Sequence, residues 1–202
     1  MPRTPEQYEA MRLATRTKIQ TAAMRLFVRQ GYGSTNVQQI ADQAGISIGL
    51  LYRHYKTKDL LFEELVQFAM TGLHTLIARF QSSDAPAEEL ARFIDEVYHD
   101  LSSGDDLAHL LLLMTQSFFS TETDGRQTAL RQINRDLLQA TAALIVQGQQ
   151  QGRLREGDAH EMAQLFFSSI QGLAMMKVML EEQFTMPSRS LLALLFAKEG
   201  EV

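Results

Sequence analysis

Five histidines, His54, His74, His99, His109 and His160, are the natural candidates for metal or acid–base chemistry, and their distribution argues against both. They lie on five separate segments, no two share a metal-binding spacing on one helix, and His160-Glu161 lacks a second histidine. A site assembled across helices from His74, His99 and His109 stays open. No glycine-rich phosphate loop, no nucleophile elbow and no Ser-His-Asp order is visible. With no cysteine there is no thiolate ligand and no disulfide, which suits a reducing cytoplasm. Neither a bound metal nor a cofactor is expected, and an enzyme is not.

The chain carries a recognition pattern instead, between Thr35 and Lys58. Val37, Ile40, Ala41 and Ala44 recur at the spacing of a helix with one buried face, and Gly45 stands where that helix should stop. Thr35, with Gln38 three residues on, reads as its capping box. A second helix follows, capped by Ser47, with Leu51 and Tyr55 directed inward and Ile48, Leu50, Tyr52 and His54 directed elsewhere. Two short helices joined by a glycine-containing turn form the helix-turn-helix pattern, whose second helix enters the DNA major groove.

Charge distribution agrees. The formal net charge of the 202-residue chain is -5, yet nine bases face four acids through Leu60, whereas ten bases face twenty acids beyond it. A basic first third on an acidic body fits a small phosphate-binding head on a carrier domain. The amino terminus has no apolar run behind a basic start, and apolar runs such as Leu110 to Met114 are far short of the roughly 20 residues that span a bilayer. A protein without membrane association is expected.

The elements that must position this head read as helices throughout. Residues 1–14 suggest a frayed terminus or a basic minor-groove arm, and a helix with Ile19, Ala22, Ala23, Leu26 and Phe27 on one face starts at Thr15. Behind a cap at Thr57, Asp59 to Phe80 keeps helical spacing as a rod of roughly 30 Å, in which Gly72 marks a bend or a close packing contact. Further helices are expected from Pro86 to Leu101, Leu107 to Phe119, Arg126 to Gln151 and Asp158 to Glu182, with a last one starting at Pro187-Ser188. The chain is therefore read as all-α, with about nine helices. A three-helix head occupies 1–58, and a larger helical bundle for ligand binding and dimerisation occupies 59–202. The 158–182 helix has two apolar stripes, Met162, Leu165, Phe166, Ser169, Leu173, Met176 and Leu180 against Phe167, Gln171, Ala174, Met175 and Val178. Two apolar sides imply a bundle core on one and a second subunit on the other, and a homodimer through the last two helices is expected.

Phe27, Gly31-Tyr32, Thr35, Ile40-Ala41, Ala44-Gly45-Ile46-Ser47, Gly49, Leu51-Tyr52, His54-Tyr55, Lys58 and Leu60 together resemble the tetracycline-repressor (TetR) family of bacterial regulators at fixed spacing. The resemblance covers about the first 60 residues. In the body it extends only to Gly152-Arg153-Leu154 before Asp158 and to Gly172-Leu173. It implies a cytoplasmic homodimer that binds a palindromic double-stranded DNA operator and is released by a small molecule. By motif position it makes Thr35, Ser47, Tyr52, His54 and Lys58 phosphate contacts, since hydroxyls, an imidazole and an ammonium around a helix N-terminus suit an anion. For Thr35, capping and phosphate contact both stand. Gly49 lets the backbone approach the DNA closely. Ile48, Leu50 and Arg53 become the base-reading positions: the first two can touch thymine methyls, and Arg53 can reach guanine or a phosphate. Modest direct readout, with DNA shape contributing, is expected.

In the body, Tyr98, Met114, Phe118, Phe167 and Met175 are side chains that line adaptable apolar cavities as well as ordinary cores, and Gln171 or a histidine could anchor a mostly apolar effector. The alternative is a helix-turn-helix protein whose body is a protein-interaction module without an effector.

Overall fold

The computed structural model describes residues 4–119, 125–193 and 195–197, and the polar connection expected at 120–125 lies almost wholly outside them. Among the described residues there are nine α-helices, one 3-10 turn and no strand. Two compact units divide the chain, the first through Phe68 and the second from Ala69.

The head contains α1 (Pro5–Gln30), α2 (Val37–Gln43), α3 (Ile48–His54) and the first part of α4 (Lys58–Gln81). The first helix starts ten residues before the expected Thr15. Thr4 caps it through the Gln7 amide, the Gln7 side chain returns the bond to the Thr4 N–H, and Pro5 occupies the first turn. A capped, proline-initiated helix therefore stands where a frayed terminus or an extended arm was expected, and residues 4–14 are exposed on every side of it. Ile19, Ala23, Phe27, Ile40, Ala41, Leu51, Tyr55, Leu61 and Leu65 make the buried core of this unit. Phe62 of α4 joins it, with its ring 5.5 Å from Phe27 and 4.8 Å from Tyr32. Three turns of α4 thus complete the core begun by α1, α2 and α3, and the first unit runs through Phe68. Thr57 caps α4 as expected, accepting from the Leu60 N–H at 3.1 Å.

The body contains the rest of α4, then α5 (Pro86–Ser103), α6 (Asp106–Phe119), α7 (Arg126–Gln150), α8 (Ala159–Leu180) and the one-turn α9 (Arg189–Ala193). Helix α8 packs against both α6 and α7. Its buried residues are Ala159, Ala163, Phe166, Ile170 and Ala174, one stripe at helical spacing. The two stripes expected from spacing are not the faces of the helix, because Phe166 and Ala174 share this inner face. Leu165, Met175, Met176, Met179 and Leu180 are exposed on the rest of the helix. The stretch Ala159–Gln183 is long and apolar enough to cross a membrane by composition alone, but Lys177 within it donates to the Leu101 carbonyl at 2.6 Å and faces Asp105, as a helix packed in a protein does. The last helix, Arg189–Ala193, buries Leu192, and Phe196 beyond it is buried as well.

Two glycines on long helices behave oppositely. A Cβ at Gly72 would meet nothing within 4 Å, so close packing does not explain that glycine. A Cβ at Gly148 would stand 2.5 Å from Leu154 Cδ1 and 2.7 Å from Cγ. Gly72→Ala is expected to raise stability by about 1 kcal/mol through helix propensity. Gly148→Ala should gain the same term but lose about 1–3 kcal/mol in displacing Leu154. Urea melts of the two variants should move in opposite directions.

Candidate nucleic-acid interface

Helix α3 is built so that only part of it can be used by the head itself. Ser47 caps it, accepting from the Leu50 N–H at 3.2 Å, and Gly45 makes the preceding turn with φ +66. Leu51 and Tyr55 are buried, whereas Ile48 is 37% exposed and Tyr52 43%, with Gly49 and Arg53 exposed and Leu50 and His54 half-buried. The expected inward and outward faces are therefore present. The outward edge carries two aliphatic side chains, a phenol and a guanidinium, which can make methyl contacts and donate hydrogen bonds.

Thr35 does not cap α2, and Thr35 and Lys58 both bond within the head. The cap of α2 is Asn36, whose side chain accepts from the Gln39 N–H at 2.9 Å while Gln39 returns a bond to the Asn36 N–H at 2.9 Å. Thr35, next in line, is only 2% exposed; its hydroxyl donates to the Gly31 carbonyl at 2.8 Å and accepts from Gln30 at 3.3 Å. The capping box thus sits one residue further on, and Thr35 fastens the end of α1. Lys58 donates to the carbonyls of Tyr32 at 2.7 Å and Thr35 at 2.8 Å, with its Nζ 4.2 Å from the centre of the Tyr32 ring. Its ammonium staples the α1–α2 loop to the start of α4, and Tyr32 adds a hydrogen bond to Asp59.

A polar cluster lies beneath α3. Glu64 of α4 receives Arg16 and Gln20 from α1 and the Tyr55 hydroxyl from the end of α3. The hydrogen bond to Glu64 raises Arg16 further above its ordinary value, so its charge is permanent. Burial, followed by the hydrogen bond to and the charge of Glu64, pushes Tyr55 up to about 12. His54 is lowered by burial and by the charges of Arg12 and Arg16, which favours its neutral form. None of Arg16, Gln20 and Glu64 stood out in the sequence; the available signal was the four-residue spacing of Arg16 and Gln20 on one helix face.

In the body, Tyr98, Met114, Phe118, Phe167 and Gln171 are half-buried. Gln171 of α8 donates to the Thr115 hydroxyl of α6 at 3.0 Å, and the Phe167 ring lies 5.4 Å from Phe166 and 6.2 Å from Phe93. Met175 is 47% exposed, one residue beyond the buried Ala174. His109 is buried with Nδ1 donating to the Asp105 carbonyl at 2.8 Å, while His74, His99 and His160 are exposed.

Comparison with known proteins points the same way as the head geometry. Residues 19–65 match the family described as bacterial regulatory proteins, tetR family. The transcriptional regulator AcrR of Shigella flexneri is 32% identical over 123 residues, 61% of this chain and 57% of that protein, so the match spans just over half of the relative. A fatty acid metabolism regulator protein of Bacillus subtilis is 25% identical over 170 residues, 84% of this chain and 86% of its own. Among solved structures, a SmeT–triclosan complex superposes with a TM-score of 0.63 at 23% identity, covering 93% of each chain, which establishes likeness of fold.

Proposed function

We propose, from membership of the TetR family of bacterial transcriptional regulators, that the chain is a cytoplasmic homodimeric repressor released from a palindromic operator by a small, mostly apolar effector. The observation that carries this reading is the outward edge of α3, with Ile48, Tyr52 and Arg53 exposed on a unit whose core already uses Leu51 and Tyr55. Ile48, Leu50 and Arg53 address bases. Ser47, Gly49, Tyr52 and His54 address phosphates and close backbone approach. Thr35 and Lys58 support this surface by holding the α1–α2 loop, and Lys58, half-buried at its edge, also addresses a phosphate.

Two such heads must sit about 34 Å apart, or a multiple of it, to enter successive major grooves. The exposed Leu165, Met175, Met176, Met179 and Leu180 make α8 the main dimer surface, with Leu191 of the short α9 at its margin. The effector is held in the body among Tyr98, Met114, Phe118 and Phe167, with the Gln171–Thr115 pair as polar anchor. SmeT, a protein of the same fold, has been solved with triclosan. A coupling of about 1–3 kcal/mol, carried through α4, gives a 5- to 150-fold loss of operator affinity.

Selection of duplexes from a random pool tests the reading. The purified protein should enrich one palindromic sequence, with affinity falling steeply as salt rises. Tyr52→Phe, which removes one phosphate-directed hydroxyl, should weaken operator and random DNA by similar factors. A protein that enriches nothing over random duplex overturns the proposal.

A further inference from the structure

We propose that Glu64 is the positioning residue of the DNA-reading helix, fixing the direction in which α3 leaves the head. The inference rests on the DNA-binding reading given above. Its starting point is how little else holds α3. The helix is seven residues long, Leu51 is its only buried residue, and its amino-terminal cap is a bond within its own first turn. Two turns with one buried side chain leave the axis free to tilt unless an end is anchored. The anchored end is Tyr55, the carboxy-terminal cap, which is buried and donates to Glu64 Oε1 at 2.8 Å.

Glu64 does not hold Tyr55 alone. Arg16 Nε donates to the same carboxylate at 2.9 Å, and a second guanidinium bond reaches Oε2. Gln20 Nε2 donates to Oε1 at 2.5 Å. Arg16 Nε also lies 3.2 Å from the Tyr55 oxygen, with the guanidinium 5.6 Å from the centre of its ring. One carboxylate thus collects four donor contacts from α1 and from the end of α3 and carries them to α4, in the two-point geometry that restricts angle as well as distance. Burial raises the Glu64 carboxyl, but the hydrogen bonds from Arg16 and Tyr55, the Arg16 charge and the Gln20 amide outweigh it and hold it below its ordinary value. The cluster therefore stays ionised, and Tyr55 stays a donor, across the neutral range.

A carboxylate cannot attract phosphate, and this gives the test a sign. By charge alone, Glu64→Gln should tighten binding to any duplex. Acting through position, the same change should weaken binding to the selected operator, because a tilted α3 misplaces Ile48, Leu50 and Arg53 against the bases. The experiment measures affinity for the selected operator and for a random duplex of equal length, using the full chain and its Glu64→Gln and Tyr55→Phe variants, with thermal melts of each. Tyr55→Phe keeps the buried ring and removes only the hydroxyl. The expected result is a loss of about tenfold on operator DNA for Glu64→Gln and a smaller loss for Tyr55→Phe. Affinity for random duplex should be unchanged or raised. Equal losses on both duplexes, tracking a lowered melting temperature, would mean a merely structural role and overturn the inference. Discrimination equal to wild type in both variants overturns it as well. A wild-type chain that does not discriminate sinks the DNA-binding reading itself, and the positioning role with it.

Discussion

Phe166→Ala is expected to destabilise the body by about 3–5 kcal/mol, the range for emptying the site of a fully buried aromatic ring. Phe166 has no exposed surface, and its ring centre lies 5.0 Å from that of Phe196, 5.4 Å from Phe167 and 5.9 Å from Phe93. Removing it takes the shared partner from rings on α5, on α8 and from the segment after α9, where such pairs add about 0.5–1.5 kcal/mol beyond their buried area. Phe166→Leu should recover much of the loss by refilling volume. The chain has no tryptophan, so chemical denaturation is best followed by far-ultraviolet circular dichroism. A Phe166→Ala melt within about 1 kcal/mol of wild type would mean that the body closes over the space.

The second large effect is expected in the head. Phe27→Ala should also cost about 3–5 kcal/mol there, and it should abolish sequence-specific DNA binding. Phe27 is fully buried, with the Tyr32 and Phe62 rings 5.4 Å and 5.5 Å away. Its loss loosens the loop that carries Tyr32 and the turn of α4 that carries Phe62 together. Operator binding measured alongside random duplex checks the claim. Retained operator affinity would show that the reading surface does not depend on this aromatic cluster.

Where the physics is periodic, the sequence was a good guide. The alternation that put Leu51 and Tyr55 inside and Ile48 and Tyr52 outside needs only the helical repeat, and the structure follows it. The same rule failed on α8, because a helix apolar on nearly all sides carries no contrast from which to choose its inner face. Spacing alone consequently puts Phe166 and Ala174 in different stripes, although both are buried on one face. The cap of α2 was ambiguous for another reason. Thr35-Asn36 and Gln38-Gln39 each satisfy the same pairing rule, and only the loop path decides that Asn36 caps while Thr35 is buried. At α1 the local signal is the capping-box spacing of Thr4 and Gln7, but residues 4–14 have no buried face to announce a helix. The Glu64 cluster was beyond reach, since it joins residues separated by 48, 44 and 9 positions and no local pattern marks such partners.

The shortness of α3 also bears on how its specificity can be moved between proteins. An isolated helix in water needs roughly 12–15 residues to be even marginally stable, and α3 has seven. Synthesised alone it would be a disordered peptide, and grafted onto a foreign scaffold it would lose the tyrosine, arginine and glutamate that orient it. The transplantable cassette is therefore the whole first unit through Phe68, whose α1 and α4 are as much a part of the proposed reading device as the exposed edge of α3.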